Sequence, residues 1–145
     1  MADHLTRTGR VGTVTDGLFP STYRVLWKIE GDPKVSILIP NKDHTEDLEK
    51  CLHSIWTRTE WDNYEVIVIE NNSTDPATFA YYEEARKRYE GLKVVTYPEK
   101  GFNFSGINNF GRKAASGDYL LLLNNDVEVR NGDWLTELLL QCAHP

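Results

Sequence analysis

The chain has 145 residues, of which 40% are hydrophobic and 26% charged, and its formal net charge is -6. This length suits one ordinary domain, and the composition excludes intrinsic disorder, collagen-like repeats and a disulfide scaffold. The acidic charge leaves no basic surface for nucleic acid, so we expect no nucleic-acid partner. No apolar run reaches the ~20 residues of a membrane-spanning helix and no signal-peptide pattern is present, so we expect a cytoplasmic protein.

The first 33 residues differ in pattern from the remainder. Residues 23–29 show the alternation of a half-buried strand, and the turn residues Gly17 and Pro20 precede it. These features predict a short β-hairpin followed by a linker at residues 31–33. We therefore predict two parts, an N-terminal hairpin appendage over residues 1–33 and a main domain over residues 34–145.

From residue 34 onward, strands and helices alternate. The predicted strands are residues 35–39, 64–69, 92–97 and 118–123. The first two helices have start signals, which are a capping-box pair of Asp43 with Glu46 and then Asp75 followed by Pro76. A third helix follows a glycine-rich segment, and a last one follows Val129. Repeated strand-helix-strand units predict an α/β fold with a three-layer, open, mostly parallel sheet and right-handed crossovers.

Ligands of such sheets bind outside the carboxyl ends of the strands, so the residues that follow each strand are candidate site residues. These polar segments are residues 40–43, 70–75, 99–109 and 124–128. In the last of them, Asp126 and Glu128 would project to the same side of an extended chain and could bind one Mg²⁺ or Mn²⁺ ion together. Asn and Asp are also favoured in simple turns, so both interpretations of this segment, a turn and a metal site, remain open.

Two other strand ends carry candidate ligand-binding groups. Glu70 could accept hydrogen bonds from a base or from ribose hydroxyls, while a helix-entry turn explains residues 73–76 but not Glu70. Residues 101–111 combine small residues with amides, yet they match neither the dinucleotide-binding fingerprint nor a P-loop. We interpret Phe102, Phe104 and Phe110 in this segment as core and wall residues, with a stacking platform as the alternative, and His44 as a surface residue.

Four segments taken together resemble the family 2 glycosyltransferases of GT-A fold. They occur in the family's order and are residues 35–43, 68–75, 102–109 and 117–129. The resemblance extends from about Pro33 to the C-terminus. It implies a Rossmann-like nucleotide-binding half that holds a nucleotide-diphosphate sugar, typically a UDP- or dTDP-sugar, with Mn²⁺ or Mg²⁺ on the diphosphate.

The resemblance also implies roles for individual residues by position. Nucleotide-sugar binding is implied for Pro40, Asn41, Asp43, Glu70, Asn72, Asn109, Asn124 and Asn125, and metal binding for Asp126 and Glu128. Glu70 stands where the family usually has an aspartate that binds the base. Asn124 replaces the first acid of the family's D-x-D motif, whereas Asp126 retains the metal-binding carboxylate.

The reaction implied by the resemblance is inverting transfer to an acceptor hydroxyl that a downstream carboxylate deprotonates. Family members supply that base and the acceptor site from a further stretch of chain, so no catalytic residue is assigned here and we interpret the chain as the donor-binding part of a longer enzyme. The implied acceptor is a sugar or a lipid-linked sugar of cell-envelope polysaccharide synthesis. The missing part would then associate peripherally with the inner face of the membrane. The alternative is a non-catalytic nucleotide-sugar-binding module on the same fold.

Overall fold

The computed structural model describes residues 2–142, so Met1 of the predicted appendage and residues 143–145 of the predicted main domain lie outside the described residues. The chain divides into two compact units, one comprising Met1–Asp32 with Asp133–Pro145 and the other Pro33–Gly132. The elements in chain order are α1 (Ala2–Thr8), β1 (Gly12–Asp16), β2 (Tyr23–Trp27), β3 (Val35–Asn41), α2 (Thr45–Arg58), β4 (Tyr64–Glu70), α3 (Pro76–Arg88), β5 (Lys93–Thr96), α4 (Phe104–Arg112), β6 (Tyr119–Leu122) and α5 (Trp134–Cys142).

The first unit contains the predicted hairpin. Strands β1 and β2 pair antiparallel, with Gly12 opposite Trp27, and the connecting turn is closed by a 2.8 Å hydrogen bond from Gly17 N to Thr22 O. Helix α1 was not predicted, because its seven residues bury only one apolar side chain and show no readable period. Helix α5, which the sequence analysis placed in the main domain, belongs to the same compact unit as the hairpin and forms an ion pair with β2 through Arg24 and Glu137.

The second unit contains the predicted parallel sheet. Its strand order is β5-β4-β3-β6, and every neighbouring pair is parallel. In the register of β3 with β4, Val35 lies opposite Tyr64 and Asn41 lies opposite Glu70. The strands fall where the sequence predicts them, with shifted ends. Strand β3 extends two residues further, to Asn41, and β4 one residue further, to Glu70, whereas β5 and β6 are each one residue shorter at both ends. The α/β fold with an open parallel sheet is therefore confirmed.

Both faces of the two central strands are covered. On one face Leu38, Ile67 and Ile69 form a buried cluster with Ile107 of α4. Because strand residues alternate between faces, the neighbours of these residues, such as Ile37 and Val68, point to the opposite face. Those neighbours are fully buried as well.

The chain order of the strands locates a switch point in the sheet. The unit starts with the central strand β3, adds β4 and β5 on one side, and then crosses to place β6 on the other side. In open α/β sheets the ligand crevice lies at the carboxyl ends of the two strands where the order reverses, which here are β3 and β6.

Pro40 marks the place where these two strands separate. Val35 N donates to Asn63 O on the β4 side, so by alternation residues 36, 38 and 40 direct their backbone polar groups toward β6. On that side, the last backbone hydrogen bond between β3 and the chain after β6 joins Leu123 N to Leu38 O at 2.9 Å. Pro40 lies two residues beyond it, so its missing N–H costs the sheet no hydrogen bond and the crevice can open here.

Within residues 2–142, no helix is long and apolar enough to cross a membrane.

Candidate functional site

A cavity of about 230 Å³ opens at the carboxyl edge of the sheet, where β3 and β6 end. It is lined by Pro40, Asn41, Lys42, His44, Asn71, Gly101, Phe102 and Asn125. These residues come from the end of β3 and from the segments that follow β3, β4, β5 and β6. The cavity therefore lies at the switch point of the sheet, where the fold predicts a ligand.

Asn41 joins the two sides of the crevice. Its side chain is buried, and its Oδ1 accepts a 2.7 Å hydrogen bond from Asn125 Nδ2 in the segment after β6. Its Nδ2 donates to the Tyr82 hydroxyl and to Asp43 O, both at 2.8 Å. One amide at the end of β3 thus fixes the positions of α3 and of the segment that contains the predicted metal ligands.

Glu70 lies beside Asn41 at the end of β4 and is 2% exposed. One carboxylate oxygen accepts a hydrogen bond from Ser73 N, and its main-chain oxygen accepts from Tyr97 N at 2.9 Å. Burial and the charges of Glu70 and Asp43 raise the pKa of Tyr82, so its hydroxyl stays protonated beside the cavity. Glu70 therefore shapes the loop after β4, and its role toward a base remains a prediction.

Asp43 does not cap helix α2 as the predicted capping box requires. The residue before α2 is His44, which makes no side-chain cap hydrogen bond. The Asp43 carboxylate instead accepts from Thr74 N and Asp75 N, both at 3.0 Å, and from the Thr78 hydroxyl at 3.3 Å. These bonds, led by the one from Asp75, outweigh desolvation and lower the pKa of Asp43. Asp43 thus ties the end of β3 to the start of α3.

Three residues other than glycine have a left-handed backbone near the cavity. They are Asp43 (φ 54°), His44 (φ 43°) and Asn72 (φ 57°). This conformation costs free energy for residues that carry a Cβ, and it persists where the surroundings impose it. Here Ser73 Oγ accepts from Asp43 N at 2.9 Å, and Asn72 Nδ2 donates to Glu99 O at 2.8 Å. The loops at the ends of β3, β4 and β5 are thereby joined in one rim.

Asn71 lines the cavity, whereas the predicted residue Asn72 does not. The Asn72 amide is engaged in its bond to Glu99 O and in a 3.0 Å bond to Asn71 Oδ1. Asn72 therefore orients Asn71, which is 4% exposed. The sequence places both amides after the strand, but only the backbone conformation decides which one faces the cavity.

Helix α4 presents Asn108 rather than Asn109 to the protein interior. Asn109 is exposed and is not among the cavity-lining residues, so its predicted contact with base or sugar stays a prediction. Asn108 is 6% exposed and donates from Nδ2 to Phe104 O at 2.8 Å. Its Oδ1 has no hydrogen-bond partner among the described residues.

The segment after β6 is not extended, because Asn125 and Asp126 form a turn. The chain is therefore not extended at Asp126, and the joint metal binding of Asp126 and Glu128 stays a prediction. Both carboxylates nevertheless act on the same thiol, since burial and then the charges of Asp126 and Glu128 raise the pKa of Cys51 to about 12. The Cys51 Sγ also contacts Asn124 O at 3.8 Å.

The chemistry of Asp126 and Glu128 fits a hard divalent cation. Both are exposed, and neither has a salt bridge or hydrogen bond to another residue in the range 2–142. In that same range no group of three or more His, Cys, Asp or Glu residues could hold a metal by itself. Two carboxylates that leave the other coordination positions to water and substrate phosphates are the usual arrangement for Mg²⁺ and suit Mn²⁺.

Four cavity residues lie in segments predicted to carry site residues, although no individual role was assigned to them. They are Lys42, Asn71, Gly101 and Phe102, and His44, which is exposed as expected of a surface residue, also lines the cavity. Phe102 was expected in the core or the wall, and it is a wall residue with 77% of its surface exposed. All five follow predicted strands, so their position in the sequence is the signal that could have identified them.

Comparisons with known proteins agree with this architecture. The family model for glycosyl transferase family 2 matches residues 36–144. The chain is 40% identical over all of its 145 residues to the O-antigen biosynthesis protein RfbC of Myxococcus xanthus, and it spans 11% of that protein.

Two solved structures share the fold. The mannosyltransferase PcManGT from Pyrobaculum calidifontis, in complex with GDP-Man and Mn²⁺, aligns with a TM-score of 0.66 at 21% identity, over 80% of this chain and 34% of that one. TarS of S. aureus in complex with UDP-GlcNAc aligns with a TM-score of 0.60 at 24% identity, over 72% of this chain and 30% of that one. The fold is thus the GT-A fold, and with the match of the family model over most of its length the chain belongs to glycosyl transferase family 2.

Proposed function

We propose that this chain binds the donor substrate of a glycosyl transfer, a nucleotide-diphosphate sugar, in the crevice at the carboxyl ends of β3 and β6. In this proposal Pro40, Asn41 and Asn125 contact the nucleotide, with Glu70 beside them. Asp126 and Glu128 hold Mn²⁺ or Mg²⁺ on the diphosphate. The cation would neutralise the negative charge of the diphosphate leaving group.

The observation that carries this proposal is the hydrogen bond between Asn41 and Asn125. Its donor-acceptor distance is 2.7 Å, and it joins the cavity at the end of β3 to the turn that contains Asn125 and Asp126. A ligand with a planar polar part and a diphosphate would extend from the cavity toward the two carboxylates. The donor-bound GDP-Man and UDP-GlcNAc complexes of the two similar structures support this choice of ligand.

The wider role is also proposed on similarity. The reaction is inverting transfer of the sugar to a hydroxyl of a sugar or lipid-linked acceptor, with the base and the acceptor site supplied by chain beyond this one. The name of the Myxococcus xanthus relative, an O-antigen biosynthesis protein, supports a place in cell-envelope polysaccharide synthesis. The corresponding location is the cytoplasm at the inner face of the membrane.

Calorimetric titration of UDP, dTDP and GDP into the chain tests the proposed donor site. With Mn²⁺ present we expect saturable binding, and with a chelator we expect the affinity to fall. Asp126→Ala should weaken binding in Mn²⁺ by about tenfold or more, because one metal ligand is lost while the fold is untouched.

The matched control is Glu90→Ala, which removes an exposed carboxylate just before β5, at the opposite edge of the sheet. Its affinity for nucleotide should equal that of the unmodified chain. Nucleotide binding that survives both the chelator and Asp126→Ala unchanged would contradict the metal site, and absence of binding for all three nucleotides would contradict the donor site.

A further inference from the structure

We infer that the ring of Phe102 is a stacking surface for the base of the bound nucleotide. The inference rests on the proposed donor site and specifies which part of the nucleotide enters the cavity. For this one ring it favours the stacking role that the sequence left as the alternative to a core or wall position.

The first observation is that Phe102 is exposed without a partner for its ring. It is 77% exposed, and its ring makes no aromatic contact with any residue of the described chain. Phe110, eight residues later, is partly buried, and its ring packs edge-on against the Tyr97 ring with 5.7 Å between the ring centroids. A large apolar ring at the rim of a polar cavity gains buried surface only when a ligand covers it.

The second observation is that the backbone on both sides of Phe102 is held in place. Gly101 has a left-handed backbone (φ 88°), and Asn72 fixes the preceding loop through Glu99 O. On the other side, Asn103 Oδ1 accepts from Gly106 N at 2.9 Å and so starts helix α4. The backbone that carries the ring is therefore fixed. Stacking of a ligand on the ring then orders little additional protein and costs little conformational entropy.

The third observation is the chemistry of the surrounding wall. Two amides, from Asn71 and Asn125, line the same cavity and can hydrogen-bond the polar edge of a heterocycle. The Asn41 amide has both of its N–H groups engaged within the protein and positions Asn125. Lys42 adds a positive charge at the rim, where a phosphate attached to that heterocycle can lie. A nucleobase is the part of the donor that offers both a π face for stacking and a polar edge for amides.

The size of the cavity agrees with this assignment. Its volume of about 230 Å³ is below the roughly 300–1,000 Å³ of pockets that enclose whole drug-sized ligands. It therefore accommodates a ring-sized part of the nucleotide sugar, while the diphosphate and the sugar continue outside it toward Asp126.

The test is titration of UDP, GDP and inorganic pyrophosphate, each with Mn²⁺, into the unmodified chain and into Phe102→Ala, Phe102→Leu and Phe102→Trp. We expect Phe102→Ala and Phe102→Leu to weaken UDP and GDP binding by about fivefold or more, since both lose the aromatic face. Phe102→Trp should keep the affinity. Pyrophosphate has no base, so its affinity should be the same in all four proteins.

The matched control is Phe104→Ala, which removes a second exposed phenylalanine that does not line the cavity. It should bind all three ligands like the unmodified chain, and the thermal midpoints of all variants should agree because neither ring is in the core. Unchanged nucleotide affinity in Phe102→Ala, or an equal loss for pyrophosphate, would overturn the stacking role. If Asp126→Ala still weakens binding in that case, the proposed donor site stands without the stacking, whereas an unmodified chain that binds no nucleotide overturns both.

Discussion

At the scale of single residues, the polar side chains around the cavity have two kinds of role. Asn41, Asn71 and Asn125 present amide groups to the cavity itself. Asp43 and Asn72 instead use their side chains to hold neighbouring loops, and both do so with a left-handed backbone. Ligand binding by Asp43 and Asn72, which the family resemblance implies, stays a prediction, while their observed contacts are those of positioning residues.

The role of Asp43 as a clamp leads to a prediction about local opening. In Asp43→Ala the amides of Thr74 and Asp75 lose their shared acceptor, so we expect both to exchange with deuterium markedly faster than in the unmodified chain. Asp43→Asn should restore part of the protection, because its amide oxygen can still accept hydrogen bonds. Hydrogen exchange followed by NMR measures this.

Asp47→Ala provides the control for that experiment. Asp47 lies one turn into α2 in a 3.9 Å ion pair with Lys50, and its loss should leave the exchange of Thr74 and Asp75 unchanged. Equal exchange in Asp43→Ala and the unmodified chain would show that Asp43 does not hold the loop. The pKa of Asp43 is lowered by folding, so the clamp is complete above its ordinary pKa and weakens as the pH falls below it.

At the scale of elements, a buried carboxylate joins the amino ends of the strands, opposite the cavity. Glu65 in β4 is 8% exposed and accepts from Ser36 Oγ in β3 at 2.7 Å, from Lys93 Nζ in β5 at 2.8 Å and from Ser116 N before β6 at 2.6 Å. Burial alone would raise its pKa. The hydrogen bonds outweigh burial and hold the pKa of Glu65 well below its ordinary value.

We therefore predict that Glu65→Gln lowers the free energy of unfolding at pH 7 by about 1–3 kcal/mol, because the buried partners of the carboxylate lose a charged acceptor. The pKa of Glu65 is lower in the folded chain than its ordinary value of 4.5, so this stabilisation is complete above that pH and is lost as the pH falls below it. Denaturant unfolding at pH 7 and at pH 3 measures both effects.

The difference between Glu65→Gln and the unmodified chain should be largest at pH 7 and should shrink at pH 3. Glu83→Gln, which alters an exposed ion pair with Arg86 on α3, should change stability by less than about 0.5 kcal/mol at either pH. A stability difference for Glu65→Gln that does not depend on pH would mean that the carboxylate contributes through packing rather than through its charge.

Helix α4 shows how a small residue allows the layers to approach closely. A Cβ on Gly111 would lie 2.7 Å from Ile69 Cγ1, which is closer than real carbon atoms pack. A larger residue at this position would therefore force the Ile69 side chain to move, and glycine lets the helix lie close against β4.

At the scale of the whole molecule, ligand binding and stability are linked. The cavity is formed by segments that follow β3, β4, β5 and β6, and these segments come together only in the folded chain. A nucleotide that binds this site therefore stabilises the fold, by about 2.7 kcal/mol at a hundredfold excess over Kd.

We accordingly expect UDP with Mn²⁺ to raise the thermal midpoint by several degrees, as measured by differential scanning calorimetry, and the shift should disappear when a chelator is added. Mn²⁺ alone and UDP alone serve as controls and should each give a smaller shift. A full shift from UDP in the presence of chelator would contradict the role of the cation.

The sequence by itself determined the alternation of strands and helices and the polar character of the strand ends. Runs such as residues 35–39 and 64–69 are buried on both faces, and this local pattern is sufficient to identify parallel strands. Pro76 after Asp75 likewise marked the start of α3, where Asp75 accepts from Ala77 N. Such features depend on neighbours in the chain, so they can be read without the fold.

Only the tertiary structure decided which of those polar residues meet. It brought Asn41 against Asn125, 84 positions apart, turned Asn71 rather than Asn72 toward the cavity, and made Asp43 a clamp for α3 instead of a cap for α2. It also left Phe102 exposed at the rim. The physical reason is that strand order and left-handed backbone angles are set by contacts between segments distant in sequence, and these contacts do not appear in any local pattern.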